Sequence, residues 1–249
     1  MLYMSKLTVY KSLPCIVQQK LHDGETSISA QELKSWVNSG KIFSQIFRYK
    51  TARLFTPDLR LMSKPFLSTL LIRLLARGEA KREDARGVSE VITVRLLCSL
   101  FLQFLKALFS QLGCVKQIQK EILLMSLESM VPTKVDLSKS PLYLRTDFCF
   151  GLQSGGSVGH IAGVLNHLSQ FTAPPIFLTS DPIPTVNPAW ETHIIFPSTL
   201  FWDFNELAFL QYNDQFYQKT LALIKNRCLS FIYQRYSVHN FAGMQLARH

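Results

Sequence analysis

The pattern of apolar and polar positions changes near residue 140, and this change predicts a chain built in two parts. After Pro141, short apolar runs alternate with amphipathic stretches, as in proteins whose strands and helices alternate. We predict strands over 142–150, 176–180, 193–196 and 228–233, with helices over 157–171, 205–226 and 238–248. Such alternation indicates an α/β fold with a parallel sheet and right-handed crossovers.

Before residue 140 the spacing of apolar residues predicts helices. Ser29 followed by Glu32 is a capping box that opens the first of them. We predict helices over 29–36, 41–55, 66–77, 88–113 and 116–130, an irregular arm over 1–27 and a charged connector over 78–87. The chain is therefore predicted to contain a helical region over 1–140 and a Rossmann-like domain over 141–249.

The stretch from 142 to 168 is the one around which the second part is organised. It predicts a buried strand, a glycine-rich turn and an amphipathic helix, in that order. Gly155, Gly156 and Gly159 permit a tight turn, and Ser157 is predicted to cap the helix. A turn of this kind presents free backbone N–H groups and a helix dipole, which suit a phosphate or another anion.

A dinucleotide-binding site is one interpretation of this turn. Ser154, Gly156 and Gly159 occupy the three glycine places of the G-x-G-x-x-G fingerprint, so the first glycine is missing. Asp181 follows the second predicted strand, where a ribose-binding carboxylate belongs. The match to the fingerprint is partial.

A serine hydrolase is a second interpretation, because residues 155–159 fit the G-x-S-x-G pattern of a nucleophile elbow. Asp203 and His239 follow Ser157 in the order that a triad of this type requires. Against this, an elbow serine directly follows its strand, whereas Ser157 lies several residues beyond Phe150. A serine that only caps the helix explains the same residues.

A third interpretation is a resemblance to a known family. LRTDFCFGLQSGGSVGHIAGVLNHL resembles the start of the acceptor-side, N-terminal Rossmann-like domain of GT-B glycosyltransferases of the retaining, family-four-like type. FIYQRYSVHNFAGMQLAR, over 231–248, is similar to a second stretch of that family. The resemblance covers 142–249. It departs from the family at Gln234, where a glutamate is usual.

The resemblance implies a site in the cleft between two domains of a complete enzyme. By this resemblance His160 is the catalytic residue, and the substrate-binding residues are Gly155, Gly156, Ser157, Arg235 and Tyr236. The implied ligands are a nucleotide-sugar and a glycan or lipid-linked acceptor, with no metal and no cofactor. In the family a second domain binds the nucleotide. We therefore expect a chain truncated before that domain, inactive alone or completed by a separate donor-domain chain.

Charge adds a second candidate function. Residues 1–140 carry 21 Lys and Arg against 11 Asp and Glu, a net charge of +10, whereas 141–249 carry six of each. The basic residues of the predicted helices within 41–113 are mixed with Phe and Leu, as on helices that bind anionic membranes. These cations are Lys41, Arg48, Lys50, Arg53, Arg73 and Arg77. The alternative to a transferase is thus a non-catalytic membrane- or protein-docking module. No nucleic-acid-binding motif is evident, so nucleic acid is not an expected partner.

Cysteine usage and hydropathy predict the compartment. The five cysteines are scattered without a CxxC pair, and Cys149 and Cys228 fall in apolar runs, which indicates reduced, buried thiols. The first residues lack the apolar core of a secretory signal. The most apolar stretch, over 96–112, is interrupted by Gln103, Lys106 and Gln111, so it falls short of a membrane span. We expect a cytoplasmic protein that binds peripherally to a membrane.

Overall fold

The computed structural model describes residues 6–10, 25–127, 134–198 and 202–248, and they form two compact units. The first unit holds the described residues up to Ser110 together with 202–205. The second unit holds the described residues from Gln111 to Ser198 and from Glu206 onward. The domain boundary predicted near Pro141 lies inside the second unit.

The first unit is built on a five-stranded sheet. Its strands are β1 (Lys6–Tyr10), β2 (Glu25–Ser29), β3 (Thr51–Thr56), β4 (Ala80–Asp84) and β5 (Ser89–Val91). They lie in the order β2-β1-β3-β4-β5, and every neighbouring pair is parallel except β4 with β5. The prediction of a helical region over 1–140 is therefore wrong. Within the predicted arm over 1–27, the described residues belong to β1 and β2, and the others lie outside the described ranges.

Alternating burial explains why β3 is a strand and not the end of the helix predicted over 41–55. Ala52 and Leu54 are buried in the core of the unit, whereas Arg53 points to the opposite face of the sheet. Only a single 3₁₀ turn, Lys41–Gln45, precedes the strand. In a run this short, the apolar residues that mark one face of a strand also fit a helix.

The predicted basic docking face does not exist as a helical face, because its cations lie on different elements. Arg53 is on β3, where it pairs with Glu83 at 3.3 Å. Lys41 lies over the ring of Trp36, and Arg73 donates to the carbonyl of Ala76. These side chains are held by contacts within the unit.

Helices α1 (Ala30–Asn38), α2 (Pro65–Leu75) and α3 (Val94–Leu127) follow in the chain. The predicted capping box of α1 is confirmed, since Ser29 Oγ accepts from the N–H of Glu32 at 3.1 Å and the Glu32 carboxylate accepts from the N–H of Ser29 at 2.7 Å. α3 replaces the two helices predicted over 88–113 and 116–130, except that 89–91 form β5 and 128–130 lie outside the described ranges. Gly113 lies inside α3 and lowers its propensity by about 1 kcal/mol without ending it.

The second unit contains the predicted four-stranded parallel sheet, which is confirmed. Its strands are β6 (Ser140–Arg145), β7 (Ile176–Thr179), β8 (Glu191–Ile194) and β9 (Leu229–Gln234). They lie in the order β8-β7-β6-β9, and all three neighbouring pairs are parallel. Numbered within the unit this order is 3-2-1-4, the beginning of a Rossmann-type sheet.

Helices cover both faces of this sheet. They are α4 (Gly156–Leu168), α5 (Asn205–Ile224) and α6 (Ala242–Leu246). Leu142 and Leu144 of β6 share a core with α5 and α6, whereas Tyr143, between them, packs in a separate core with α4. The unit therefore has three layers, with a fully buried β6 in the middle layer.

Candidate functional site

The strand order of the second unit places a crevice between β6 and β9. The chain leaves β6 through α4 to reach β7 on one side, while β9 pairs with the other side of β6. In open α/β sheets, ligands bind at the carboxyl ends of the strands where the order reverses in this way. We call the residues gathered there, Arg145, Asp147, Ser157 and Arg235, the switch-point site.

The glycine-rich turn supplies the helix end of the site. Gly155 is the N-cap residue of α4, with a φ of 120° that side chains other than glycine rarely adopt. Gly155 has no side chain that could accept a hydrogen bond, so the N–H groups of the first helical turn are not capped by it. Ser157 was predicted as the cap, and this is wrong, because the helix already begins at Gly156. The turn is thus closed by backbone alone, which leaves its N–H groups available to an anion.

Arg235 links the end of β9 to this turn. Its Nη1 donates to Ser157 Oγ and to the Ser157 carbonyl at 3.4 Å, and it lies 3.9 Å from the Asp147 carboxylate. All these contacts use Nη1, so Nε and Nη2 have no hydrogen-bond partner among the described residues. The structure therefore brings together Ser157 and Arg235, two residues that the sequence predicted, and adds a cation to the amino end of α4.

Arg145 and Asp147 were missed by the sequence reasoning. Arg145 is completely buried, and its Nη2 contacts the Asp147 carboxylate at 2.8 Å. The same guanidinium donates to Thr179 Oγ1, to the carbonyl of Asp181 at 3.0 Å and to the carbonyl of Cys149. Arg145 thus ties the loop after β6 to the end of β7. The signal in the sequence was the arginine and aspartate that close an otherwise apolar strand.

A buried hydroxyl lies between these two charges. Thr146 is 2% exposed, and its Oγ1 has no hydrogen-bond partner among the described residues. Its carbonyl accepts from Ser237 Oγ at 3.4 Å, which brings it to the β9 side of the crevice. A buried polar atom without a partner is energetically costly.

His160 and Tyr236 lie at the surface, and the structure does not bring them into contact with Arg235. His160 is exposed on α4, one turn beyond Gly156, and makes no hydrogen bond or ion pair with a described residue. Tyr236 directly follows Arg235 and is 87% exposed. Both remain open to a ligand, and neither is held in place by the protein.

Gln234, the departure from the family pattern, has a structural role. Its Nε2 donates to Asn240 Oδ1 at 2.8 Å, and its Oε1 accepts from the N–H of Gly243 at 2.7 Å. An amide can donate and accept in this way, whereas an ionised glutamate at this position could only accept. The residue therefore connects β9 to the amino end of α6.

The two rival interpretations receive little support from the geometry. The Asp181 carboxylate accepts from the N–H of Gly151 at 2.7 Å, so it already holds the loop after β6. Ser157 Oγ accepts a hydrogen bond from the Arg235 guanidinium, which cannot act as a general base. His239 packs near the ring of Phe209, with 6.1 Å between the ring centroids.

Other features of the described residues lie apart from the switch-point site. A cavity of about 1090 Å³ lies beside the free edge of β9, lined mainly by α5, β9 and α6. Within the described ranges, no three His, Cys, Asp or Glu side chains are grouped so that they could hold a metal ion. Cys149 and Cys228 are exposed thiols, which corrects the prediction that they are buried.

Comparisons of the chain with protein-family models, with curated proteins and with solved structures found no match. The function therefore has to be inferred from the site itself.

Proposed function

We propose that the second unit binds a phosphate-bearing ligand at the switch-point site, as the acceptor-side half of a glycosyltransferase-like protein. The observation that carries the proposal is the position of Arg235. Its guanidinium is held against the first turn of α4, and two of its nitrogen atoms have no partner among the described residues. A cation and free N–H groups that converge at a helix amino end form a site for phosphate oxygens.

The same groups suit the leaving group of sugar transfer. As a nucleotide-sugar reacts, negative charge grows on the departing diphosphate, and preorganised donors stabilise that charge. In this proposal Arg235 and the backbone of Gly155 and Gly156 supply the donors. His160, exposed one turn along α4, orients the acceptor, and Tyr236 lies on the opposite side of the opening. Those two roles come from the family resemblance.

Calorimetry with uridine diphosphate tests the binding step. Arg235→Met removes the guanidinium and keeps an unbranched apolar side chain. Since hydrogen bonds to charged groups contribute about 1.5–3 kcal/mol, the affinity should fall at least tenfold. Arg227→Met is the matched control, because Arg227 is exposed and pairs with Glu191 on the far edge strand, β8. Equal affinity of the wild type and Arg235→Met would refute the proposed site.

Two further outcomes would point to the rival functions. Binding of a nicotinamide dinucleotide that is lost on Asp181→Ala would favour an oxidoreductase. Covalent labelling of Ser157 by a fluorophosphonate would favour a hydrolase.

We expect no measurable sugar transfer by this chain alone, because the reaction needs donor and acceptor held in one cleft. The resemblance covers only the acceptor side of such a cleft. Turnover of a radiolabelled nucleotide-sugar by the purified chain, lost on His160→Ala, would contradict this expectation.

A further inference from the structure

Helix α3 has an inner apolar face, which packs inside the first unit, and an outer apolar face, which is exposed. On the inner face Leu100 and Ala107 are buried. Phe104, on the same side, lies against the rings of Phe66 and Phe204, with centroid distances of 5.7 and 5.8 Å. This face anchors the start of α3 to its own unit.

The other apolar face is exposed. Val94, Leu102 and Phe109, which we call the outer stripe, have exposed fractions between 64 and 78%. Their spacing of seven or eight residues is about two helical turns, so they share one side of the helix. Large apolar side chains that line up on a surface mark an interaction site.

The charges beside the outer stripe are all positive. Between Val94 and Ser110, α3 contains no Asp or Glu, and its Lys and Arg residues are Arg95 and Lys106. Both are exposed. Neither forms an ion pair with a described residue. With a helical rotation of about 100° per residue, both lie along the same border of the stripe. The stripe is thus bordered by cations without a counter-charge.

We propose that the outer stripe docks α3 onto an anionic lipid surface, with the helix lying in the plane of the membrane interface. The apolar side chains would enter the boundary between headgroups and acyl chains, while Arg95 and Lys106 bind the lipid phosphates. This inference is independent of the switch-point site. It also places the membrane surface on α3, whose Arg95 and Lys106 form no ion pair with a described residue, and not on Lys41, Arg53 and Arg73, which are held by contacts within the unit.

A membrane-spanning arrangement fits the charges less well. By length and composition α3 is apolar enough to cross a membrane, and only 11% of its most apolar window is buried. However, Arg95 and Lys106 enclose an uncharged run of ten residues, and Lys116 interrupts the run that follows. A span needs about 20 consecutive, mainly apolar residues. These interruptions favour a helix that lies at the interface.

A second copy of the chain is a weaker candidate for the same surface. The outer stripe of a copy would bring its own Arg95 and Lys106, and no carboxylate to neutralise them. Like charges at a shared interface are repulsive. Anionic lipid supplies the missing counter-charge together with an apolar phase.

Vesicle flotation of the full chain tests the proposal. The probes are phosphatidylcholine vesicles with and without 30% phosphatidylglycerol, at about 0.1 M salt so that screening stays moderate. We expect flotation with the anionic vesicles and release by alkaline carbonate. Leu102→Ser with Phe109→Ser should weaken binding at least tenfold. Phe171→Ser with Leu137→Ser, which changes exposed residues of the second unit, should leave it unchanged.

The charge contribution is measured separately. Arg95→Gln with Lys106→Gln should weaken binding to anionic vesicles by roughly fivefold per cation. Lys219→Gln with Lys225→Gln removes two exposed cations of the second unit and is the matched control. Equal effects of the two pairs would mean that only net charge matters, and would overturn the assigned surface.

A fluorescent label provides a readout that does not depend on the folding of the stripe variants. Cys98 is exposed between Val94 and Leu102, so a label on a variant that keeps only this cysteine reports on insertion. We expect a blue shift with anionic vesicles. The proposal would be overturned by the absence of a shift, by equal flotation with neutral vesicles, or by resistance to carbonate. It would also be overturned if the chain bound no vesicles but formed a dimer, and the stripe substitutions dissociated that dimer.

Discussion

Replacement of Arg145 by methionine is the sharpest test of how the switch-point site is held. Arg145 is charged but has no exposed surface, and an ion pair of 2.8 Å joins its Nη2 to the Asp147 carboxylate. Methionine retains the apolar stem and removes the guanidinium. The loop after β6 would then lose the guanidinium contacts that tie it to the end of β7, while the hydrogen bond from Gly151 to Asp181 remains.

The magnitude follows from the partners that are left behind. Removal of one member of a buried ion pair costs about 3–5 kcal/mol, because the remaining charge is uncompensated. Asp147 is 18% exposed, so water reaches part of its carboxylate and the lower end of that range applies. We expect the free energy of unfolding of the second unit to fall by about 3 kcal/mol.

The assay has to report on the second unit alone, because a chain with two units need not unfold in one step. Trp190 packs against the α4 core of that unit, whereas Trp36 and Trp202 belong to the first. Urea unfolding is therefore followed by Trp190 fluorescence in a background with Trp36→Phe and Trp202→Phe.

Arg227→Met is again the control, since its exposed pair with Glu191 should contribute at most about 1 kcal/mol. A loss for Arg145→Met no larger than that of the control would refute the reasoning. In the folded fraction, Arg145→Met should also weaken binding of uridine diphosphate, because Asp147 would no longer be positioned beside Arg235. Undiminished binding would mean that Arg235 is positioned without it.

Three smaller perturbations test other parts of the structure. Ser29→Ala removes the α1 cap and should destabilise the first unit by about 1 kcal/mol, measured by urea unfolding. Gly243→Ala would place a Cβ 2.4 Å from Gln234 Oε1, so we expect a loss of about 1–3 kcal/mol and a lower Tm. Hydrogen bonds, of which the one from Arg227 has the largest effect, lower the pKa of the Glu191 carboxyl from 4.5 to about 2. Its stabilisation is complete above pH 4.5 and is lost as the pH falls towards 2, so the stability difference between wild type and Glu191→Gln should shrink over that window.

The second unit was predictable from its sequence because β6 and β7 are buried apolar runs, each followed by a turn. The predicted and observed strands differ mainly at their ends: the first was predicted over 142–150, whereas β6 ends at Arg145. Beyond that point the chain is still rich in phenylalanine but is no longer paired. Hydrophobicity indicates burial, and it does not distinguish a paired strand from a buried loop.

The first unit was misassigned because its strands are short and carry charges. β4 consists of Ala80, Lys81, Arg82, Glu83 and Asp84, a composition typical of a solvated loop. One of these charges, Glu83, is paired across the sheet with Arg53, which is distant in sequence. Strand pairing of this kind is a tertiary effect, which local patterns do not contain.

The candidate site was predicted only in part, for the same reason. The glycine-rich turn is a local signal, since a φ of 120° at Gly155 demands glycine at that position. The role of Arg145 depends on which strand lies next to β6, and that is not a local property. A charged residue at the end of a buried strand was nevertheless a usable signal, because a buried charge requires a partner nearby.

The departure at Gln234 shows how the structure changes the weight of a resemblance. A missing glutamate next to Arg235 would argue against a charged role at that position. The amide at Gln234 instead bonds to Asn240 and to the backbone of Gly243, so it fixes the path of the chain after β9. That path directs the neighbouring Arg235 side chain towards Ser157 on the other side of the crevice. Arg235, and not position 234, is therefore the residue whose substitution decides whether this crevice binds phosphate.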